Sequence, residues 1–171
     1  MMKQFRKLCL LLAALMLAVL SACGSSPEAS TDDGPELDPE TMVRAMMEAD
    51  TTLPEMVTRS SADADAKDNF FYLSDLDYAK VDAYFYAFAD AGTAEEIAVV
   101  RLKDRSDAAA MMDSLHDHLT ARQGTFEEYD PEQVPLTENA VVTREGRYVA
   151  LIVGKKNGLG QKEFQKFFED N

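Results

Sequence analysis

Two stretches, Ala83-Tyr-Phe-Tyr-Ala-Phe-Ala89 and Glu96-Ile-Ala-Val-Val-Arg-Leu-Lys103, decide the fold that this sequence predicts. Both are rich in aromatic and β-branched residues, which favour β-strands. The segment that begins Asp90-Ala-Gly-Thr93 separates them and has the composition of a turn. The two stretches are therefore predicted to pair as an antiparallel hairpin.

Three aromatic residues of the first strand, Tyr84, Tyr86 and Phe88, share one face because side chains alternate along a strand. Such a row is either a platform on which a ligand stacks or part of the core under a helix. Strand faces that a helix covers are commonly aromatic, so we favour the core.

The segment from Ser106 to about Gln123 has the strongest helical pattern in the chain. At about 100° per residue, five of its apolar side chains form one narrow stripe: Ala108, Met111, Met112, Leu115 and Leu119. The two histidines, His116 and His118, fall about 80° to either side of this stripe. Two ligands on opposite flanks cannot hold one metal ion, and boundary positions on an amphipathic helix are the interpretation we favour.

A second hairpin follows, with strands over residues 140–144 and 148–153 and a turn at Glu145-Gly146. The run Tyr148-Val-Ala-Leu-Ile-Val153 is apolar on both faces, which is typical of a central strand covered on both sides, or by a helix plus the N-terminal elements. We predict an α+β fold: a two-layer sandwich with a four-stranded, mainly antiparallel sheet packed by amphipathic helices. Residues 55–59 are compatible with a short edge strand, which this count does not include.

The N-terminal part of the folded region begins with a helix-start signal, Asp38-Pro39-Glu40. Four apolar residues follow at helical spacing and are interpreted as core: Met42, Val43, Met46 and Met47. Residues 38–171 are predicted to form a single α+β extracytoplasmic domain.

The first 22 residues have the pattern of a signal peptide. Lys3, Arg6 and Lys7 precede 13 uncharged residues, Leu8–Leu20, which are too few for a membrane span. Leu20-Ser-Ala-Cys23 resembles the lipobox of bacterial lipoproteins, in which the cysteine is acylated (palmitate is a typical chain). We expect residues 23–37 to be a lipidated flexible tether that anchors the domain to the cell membrane. The alternative is an ordinary secretory signal cleaved near Ala22.

Composition excludes several classes of function. With 31 acidic and 17 basic residues the formal charge is −14, which argues against nucleic-acid binding. Both cysteines, Cys9 and Cys23, precede the domain, so a disulfide framework or cysteine-bound zinc within it is excluded. The aspartates at 63, 65 and 68 begin like a calcium loop, but Lys67 takes the place of an oxygen ligand. We therefore predict no metal site, no cofactor and no catalytic residue.

One segment is a candidate anion site. Gly154-Lys-Lys-Asn-Gly-Leu-Gly160 precedes the last predicted helix, where free backbone N–H groups bind anions. Its candidate residues are Lys155, Lys156, Gly158 and Gly160. The segment lacks the ending of a phosphate-binding P-loop, and a simple connection is the interpretation we favour.

Several short motifs occur in an order that resembles a known family: residues 94–100, the helix over 107–123, Phe126 with Tyr129-Asp130-Pro131, and Gly146-Arg147-Tyr148-Val149. They resemble an uncharacterised family of bacterial lipoproteins, the domain of unknown function 4358, over roughly residues 45–153. Arg147 stands where we expect an asparagine or a similar polar turn residue. The resemblance implies localisation and fold and brings no catalytic residue, cofactor or substrate.

Three hypotheses about function follow. The first is a non-enzymatic binding or interaction module of the cell envelope, whose partner is an envelope protein or a small ligand. The second is a carboxylate-based envelope hydrolase, since acid–base catalysis needs only two suitably spaced carboxyl groups. The third is a divalent-cation-dependent adhesion element. We favour the first because no catalytic motif accompanies the tethered domain.

Overall fold

The computed structural model describes residues 36–169. Within them, five strands form one sheet, and every neighbouring pair is antiparallel. The strands are β1 (Met56–Ser60), β2 (Val81–Ala89), β3 (Glu96–Leu102), β4 (Val141–Glu145) and β5 (Tyr148–Val153). Their order across the sheet is β1-β2-β3-β5-β4, so both predicted hairpins are confirmed and β5 is an inner strand.

Within the described residues, five α-helices accompany the sheet, which confirms the α+β class. They are α1 (Pro39–Ala49), α2 (Ala66–Phe70), α3 (Ala108–Tyr129), α4 (Val134–Glu138) and α5 (Asn157–Glu169). As predicted, Asp38 caps α1, because its carboxylate accepts hydrogen bonds from the backbone N–H groups of Glu40 and Thr41. The helix α3 runs beyond the predicted end at Gln123 and stops before Asp130-Pro131.

The predicted count of four strands is wrong. The fifth strand, β1, lies at one edge of the sheet and pairs with β2 from Met56↔Ala89 to Ser60↔Phe85. All five of its side chains are half-buried. Because an edge strand is only partly covered, its sequence has a weak apolar pattern, and pairing with β2 decides its structure.

The predicted two-layer arrangement is also wrong, because helices pack on both faces of the sheet. On one face, Met111 and Leu115 of α3 join a core cluster that includes Val100 and Leu151. On the other face α1 and α5 supply the buried side chains of Met42, Met46 and Phe164, which cluster with Ile97, Val99 and Ile152. The inner strands are apolar on both faces, and each face needs its own cover.

The turn after β4 and the start of α5 show two uses of glycine. Gly146 has φ of +55°, a backbone conformation that residues with a Cβ rarely adopt, at the predicted turn. Gly160 lies in α5, where a Cβ would be 3.1 Å from Cγ2 of Ile152. Its lack of a side chain lets α5 approach β5 closely.

The covering of the second face can be tested with Phe164→Ala. Phe164 is fully buried between α5 and the sheet, so we expect the free energy of unfolding to fall by about 3–5 kcal/mol. The matched control is Phe71→Ala, because Phe71 is 55% exposed and its removal should change stability by less than about 1 kcal/mol. Urea unfolding measures both. Equal effects of the two changes would contradict the packing described for this face.

Candidate functional site

A half-open cavity of about 440 Å³ lies on the face of the sheet that α3 covers, a size typical of small-molecule sites. Strands β1 and β2, helix α2 with the turn after it, and helix α3 supply its walls. We call it the arginine pocket, and its lining residues are Arg59, Asn69, Tyr72, Tyr86, Phe88 and Arg122.

Strand register explains how these side chains come together. Arg59 of β1 pairs with Tyr86 of β2, and Phe88 of β2 pairs with Glu96 of β3. Residues two apart on a strand share a face, so these four side chains project toward the same side of the sheet. Arg122 reaches them from α3.

Below the pocket, the Glu96 carboxylate is fully buried and held by three neighbours. The Tyr86 hydroxyl donates a hydrogen bond to Oε2 at 2.6 Å, and Nε2 of His118 lies 3.0 and 3.1 Å from the two carboxylate oxygens. An ionised carboxylate only accepts, so Nε2 of His118 carries the donated proton. Nε of Arg122 forms an ion pair with Oε1 at 3.2 Å.

The surroundings of Glu96 keep it ionised. Burial by itself raises its pKa, but the hydrogen bond and charge interaction of His118, the charge of Arg122 and the Tyr86 hydrogen bond outweigh burial. The pKa of Glu96 therefore lies below its ordinary value of 4.5. Burial, with the neighbouring Glu96 charge, raises the pKa of the Tyr86 phenol, so this hydroxyl stays a donor.

The two arginines of the pocket are held differently. Arg122 is fixed by Glu96, by a hydrogen bond from Nη2 to the Thr93 carbonyl at 3.2 Å, and by stacking over Phe126 at 5.1 Å. In the part of the chain that the structure describes, Arg59 donates only to the adjacent Thr58 carbonyl, and its guanidinium lies 5.7 Å over the Phe88 ring. Within residues 36–169, no carboxylate comes within 4.0 Å of the Arg59 guanidinium. Arg59 is thus a positive charge that a ligand can reach.

The aromatic row of β2 is divided between the core and the wall of the arginine pocket. Tyr84 belongs to the core, where it packs against Phe70 at 5.2 Å and donates to the Ala66 carbonyl. Tyr86 and Phe88, with ring centroids 5.1 Å apart, line the pocket.

The two histidines differ in their surroundings. His116 is exposed, whereas His118 contacts Glu96. The helical pattern did not identify His118, because its partner, Glu96, lies on a strand. The angles around the helix show only whether His116 and His118 can bind one metal ion together. Glu96, Arg59 and Arg122 were also missed. The signal for Glu96 was a charge at a strand position that alternates in phase with buried Ala98 and Val100.

The residues of the candidate anion site occupy two kinds of position. Lys155 and Lys156 are exposed in the short turn before α5, and Lys155 also lines a second cavity of about 470 Å³. Gly158 and Gly160 lie inside α5, so the loop is shorter than predicted. The structure separates this segment from the arginine pocket, and anion binding there stays a prediction. The lipidation site, Cys23, lies outside the described residues.

Serine and histidine on α3 do not form a nucleophile–base pair. The Ser114 hydroxyl donates to Oδ1 of Asp75 at 2.5 Å and also contacts the Ser74 hydroxyl at 2.8 Å. Its proton is therefore directed away from His118, four residues along the helix. Across the described part of the chain, no group of three or more histidine, cysteine, aspartate or glutamate side chains is arranged to hold a metal ion.

Comparison with known families identifies the domain. The model of the family described as a domain of unknown function (DUF4358) matches residues 56–154. The chain belongs to this family. The DUF4358 match contains β1 to β5 and α3, and with them every residue of the arginine pocket. No curated protein and no solved structure matches the chain.

The family resemblance read from the sequence is thereby confirmed. The lipoprotein character that was expected with the DUF4358 domain stays a prediction. Among residues 36–169, no helix has the length and apolar character needed to cross a membrane.

The buried carboxylate of this DUF4358 domain can be tested with Glu96→Gln. Breaking a buried ion pair leaves the partner charges uncompensated, so we expect a loss of about 3–5 kcal/mol in the free energy of unfolding at neutral pH. The stability contributed by the lowered pKa of Glu96 is present above the ordinary value of 4.5 and is lost as the pH falls through the lower folded value. The wild type should therefore lose stability more steeply below about pH 4.5 than Glu96→Gln does.

Urea unfolding over a series of pH values measures both effects. Glu128→Gln, an exposed position on α3, is the matched control and should resemble the wild type. Parallel pH profiles for the wild type and Glu96→Gln would show that folding does not lower the pKa of Glu96.

Proposed function

We propose that this chain is a lipid-anchored extracytoplasmic module that binds a small ligand in the arginine pocket without catalysing its conversion. The observation that carries the proposal is the pairing of an accessible cation, Arg59, with a second one, Arg122, that the fully buried Glu96 fixes in place. Ionisable groups with perturbed pKa values in a cleft are typical of functional sites.

The energetic cost of burying Glu96 supports this interpretation. Removing a carboxylate from water costs several kcal/mol, and a buried ion pair is often no more stabilising than apolar residues of similar volume. A role in holding the side chains of Tyr86 and Arg122 at the pocket wall accounts for a carboxylate at this position. Groups held in advance lose less entropy when a ligand binds.

The attachment point of the tether is compatible with an accessible pocket. The backbone of Leu37 is bound by the Tyr148 hydroxyl at 2.7 Å and by Nη1 of Arg101 at 3.0 Å, on the face that α1 covers. The arginine pocket opens on the other face. Along β3, Arg101 lies five residues from Glu96, or about 17 Å at the usual rise per residue. The first described residues of the domain therefore lie on the face opposite the pocket.

The hydrolase alternative has less support. In the described part of the chain, the carboxylate that contacts the residues of the arginine pocket most closely is Glu96, whose oxygens already accept from Tyr86 and His118. A carboxylate occupied in this way does not exchange protons with a substrate readily. The Ser114 proton is directed to Asp75.

Ligand binding can be tested by screening small aromatic fragments with ligand-observed NMR against the full-length chain. We expect hits whose affinity falls several-fold in Tyr72→Ala, because Tyr72 lines the pocket. The matched control is Tyr129→Ala: the two tyrosines are 77% and 82% exposed, and Tyr129 is outside the pocket. Hits that both changes weaken equally, or an absence of hits, would overturn the proposed site.

Anchoring is tested separately at Cys23. We expect mass spectrometry of the membrane fraction to find Cys23 as the acylated N-terminal residue, and Cys23→Ser to move the protein out of that fraction. Ser21→Thr, which keeps the cysteine, is the control. An unacylated Cys23, or an intact chain in the cytosol, would contradict the proposed anchoring.

A further inference from the structure

We propose that the arginine pocket takes an aromatic monocarboxylate, a small molecule that joins one carboxylate to an aromatic ring. This inference rests on the proposed function and names the class of ligand. The charge of the pocket, the hydrogen-bond donors that its side chains leave available and its aromatic surface support this class of ligand.

The charge of the pocket favours a single negative charge. Arg59 and Arg122 contribute two positive charges, and Glu96 beneath them contributes one negative charge. Counted over the lining side chains and Glu96 alone, without His118 and Asp65, the pocket and its base carry one net positive charge. This local excess is notable in a chain of formal charge −14. One carboxylate neutralises it.

The guanidinium groups leave donors for that carboxylate. Arg59 uses Nη1 for the Thr58 carbonyl, and no other hydrogen bond of this side chain occurs within the described residues. Arg122 forms an ion pair with Glu96 through Nε and donates Nη2 to the Thr93 carbonyl, and among the described residues no hydrogen bond of Nη1 occurs. Planar guanidinium donors match the two oxygens of a carboxylate, and such charge-assisted bonds are the strong ones.

The remaining walls suit an aromatic ring. Tyr86 and Phe88 lie side by side at 5.1 Å, and the hydroxyl of Tyr86 is engaged by Glu96, so this side chain offers the ligand its ring. Tyr72 adds a third ring at the exposed rim. Aromatic side chains pair with ligand rings in offset or edge-to-face arrangements.

A doubly charged ligand fits less well. Its second charge would meet Glu96 below and Asp65 at the side, where Oδ1 of Asp65 accepts a hydrogen bond from Nδ2 of Asn69 at 2.8 Å. A phosphate monoester, with nearly two charges at neutral pH, is therefore disfavoured relative to a carboxylate.

The test compares three probes of similar size with the full-length chain at about pH 8, where the phosphate carries nearly two charges: phenylacetate, its neutral analogue phenylacetamide, and benzyl phosphate. Titration followed by NMR measures each affinity. We expect phenylacetate to bind about tenfold more tightly than phenylacetamide, since a charge-assisted hydrogen bond is worth about 1.5 kcal/mol or more. Benzyl phosphate should bind less tightly than phenylacetate.

Arg59→Gln is the informative variant and should weaken phenylacetate about tenfold while leaving phenylacetamide unchanged. Arg105→Gln, an exposed arginine outside the pocket, is the matched control and should change neither affinity. Equal binding of phenylacetamide, or tighter binding of benzyl phosphate, would overturn the class of ligand. If Tyr72→Ala still weakened the binding of either of these two probes, the proposed small-molecule binding function would stand without the proposed class of ligand. Failure of all three probes to bind would overturn the class, and the fragment screen then decides the function.

Discussion

The contact on which the candidate site depends is the one between the buried Glu96 carboxylate, its two hydrogen-bond donors, Tyr86 and His118, and its ion-pair partner, Arg122. It joins β2, β3 and α3 through a single charge that water does not reach. Such a group is stabilised only while its partners stay in place, because an unpaired charge in the interior is far more costly than a paired one. The position of α3 on the sheet and the shape of the pocket wall are therefore linked. A shift of α3 changes the pocket wall, and a change in the pocket wall shifts α3.

This link explains why a charged pocket can exist on a face that is otherwise core. Met111 and Leu115 cover the middle of the sheet with apolar contacts, while His118 and Arg122 lie further along α3, beside the start of β3. The transition from apolar core to polar pocket takes place along one helix. The opposite face has its own core, built by α1 and α5, so the sheet does not depend on the pocket side alone for burial.

The sequence predicted the regular elements better than the arrangement of layers or the site. Both hairpins, the Asp38 cap and the apolar stripe of α3 follow from local patterns that the structure confirms. The edge strand β1 was not counted because partial burial weakens its pattern. The second helical layer was missed although Tyr148–Val153 is apolar on both faces, since one strand does not reveal how many helices cover it.

The site escaped prediction for a related reason. Glu96 is in phase with buried Ala98 and Val100, so strand alternation places it inward. Its partners, however, are 10, 22 and 26 residues away in the chain and on different elements, and no local pattern joins them. Long side chains at the edge of a helical stripe reach a neighbouring strand, which a count of angles around the helix does not show. Only tertiary structure brings these groups together.

The two arginines of the pocket are held differently because only Arg122 pairs with the buried Glu96. Arg122 is held by Glu96, Thr93 and Phe126, so it gives the pocket a fixed donor at little further cost in entropy when a ligand arrives. Arg59 lies on the edge strand with one backbone contact, and its charge is not compensated by a nearby carboxylate of the described residues. A fixed donor gives orientation and an uncompensated one gives attraction. An anion that enters between the two arginines is attracted by Arg59 and oriented by Arg122. A count of charges does not show this difference between the two side chains.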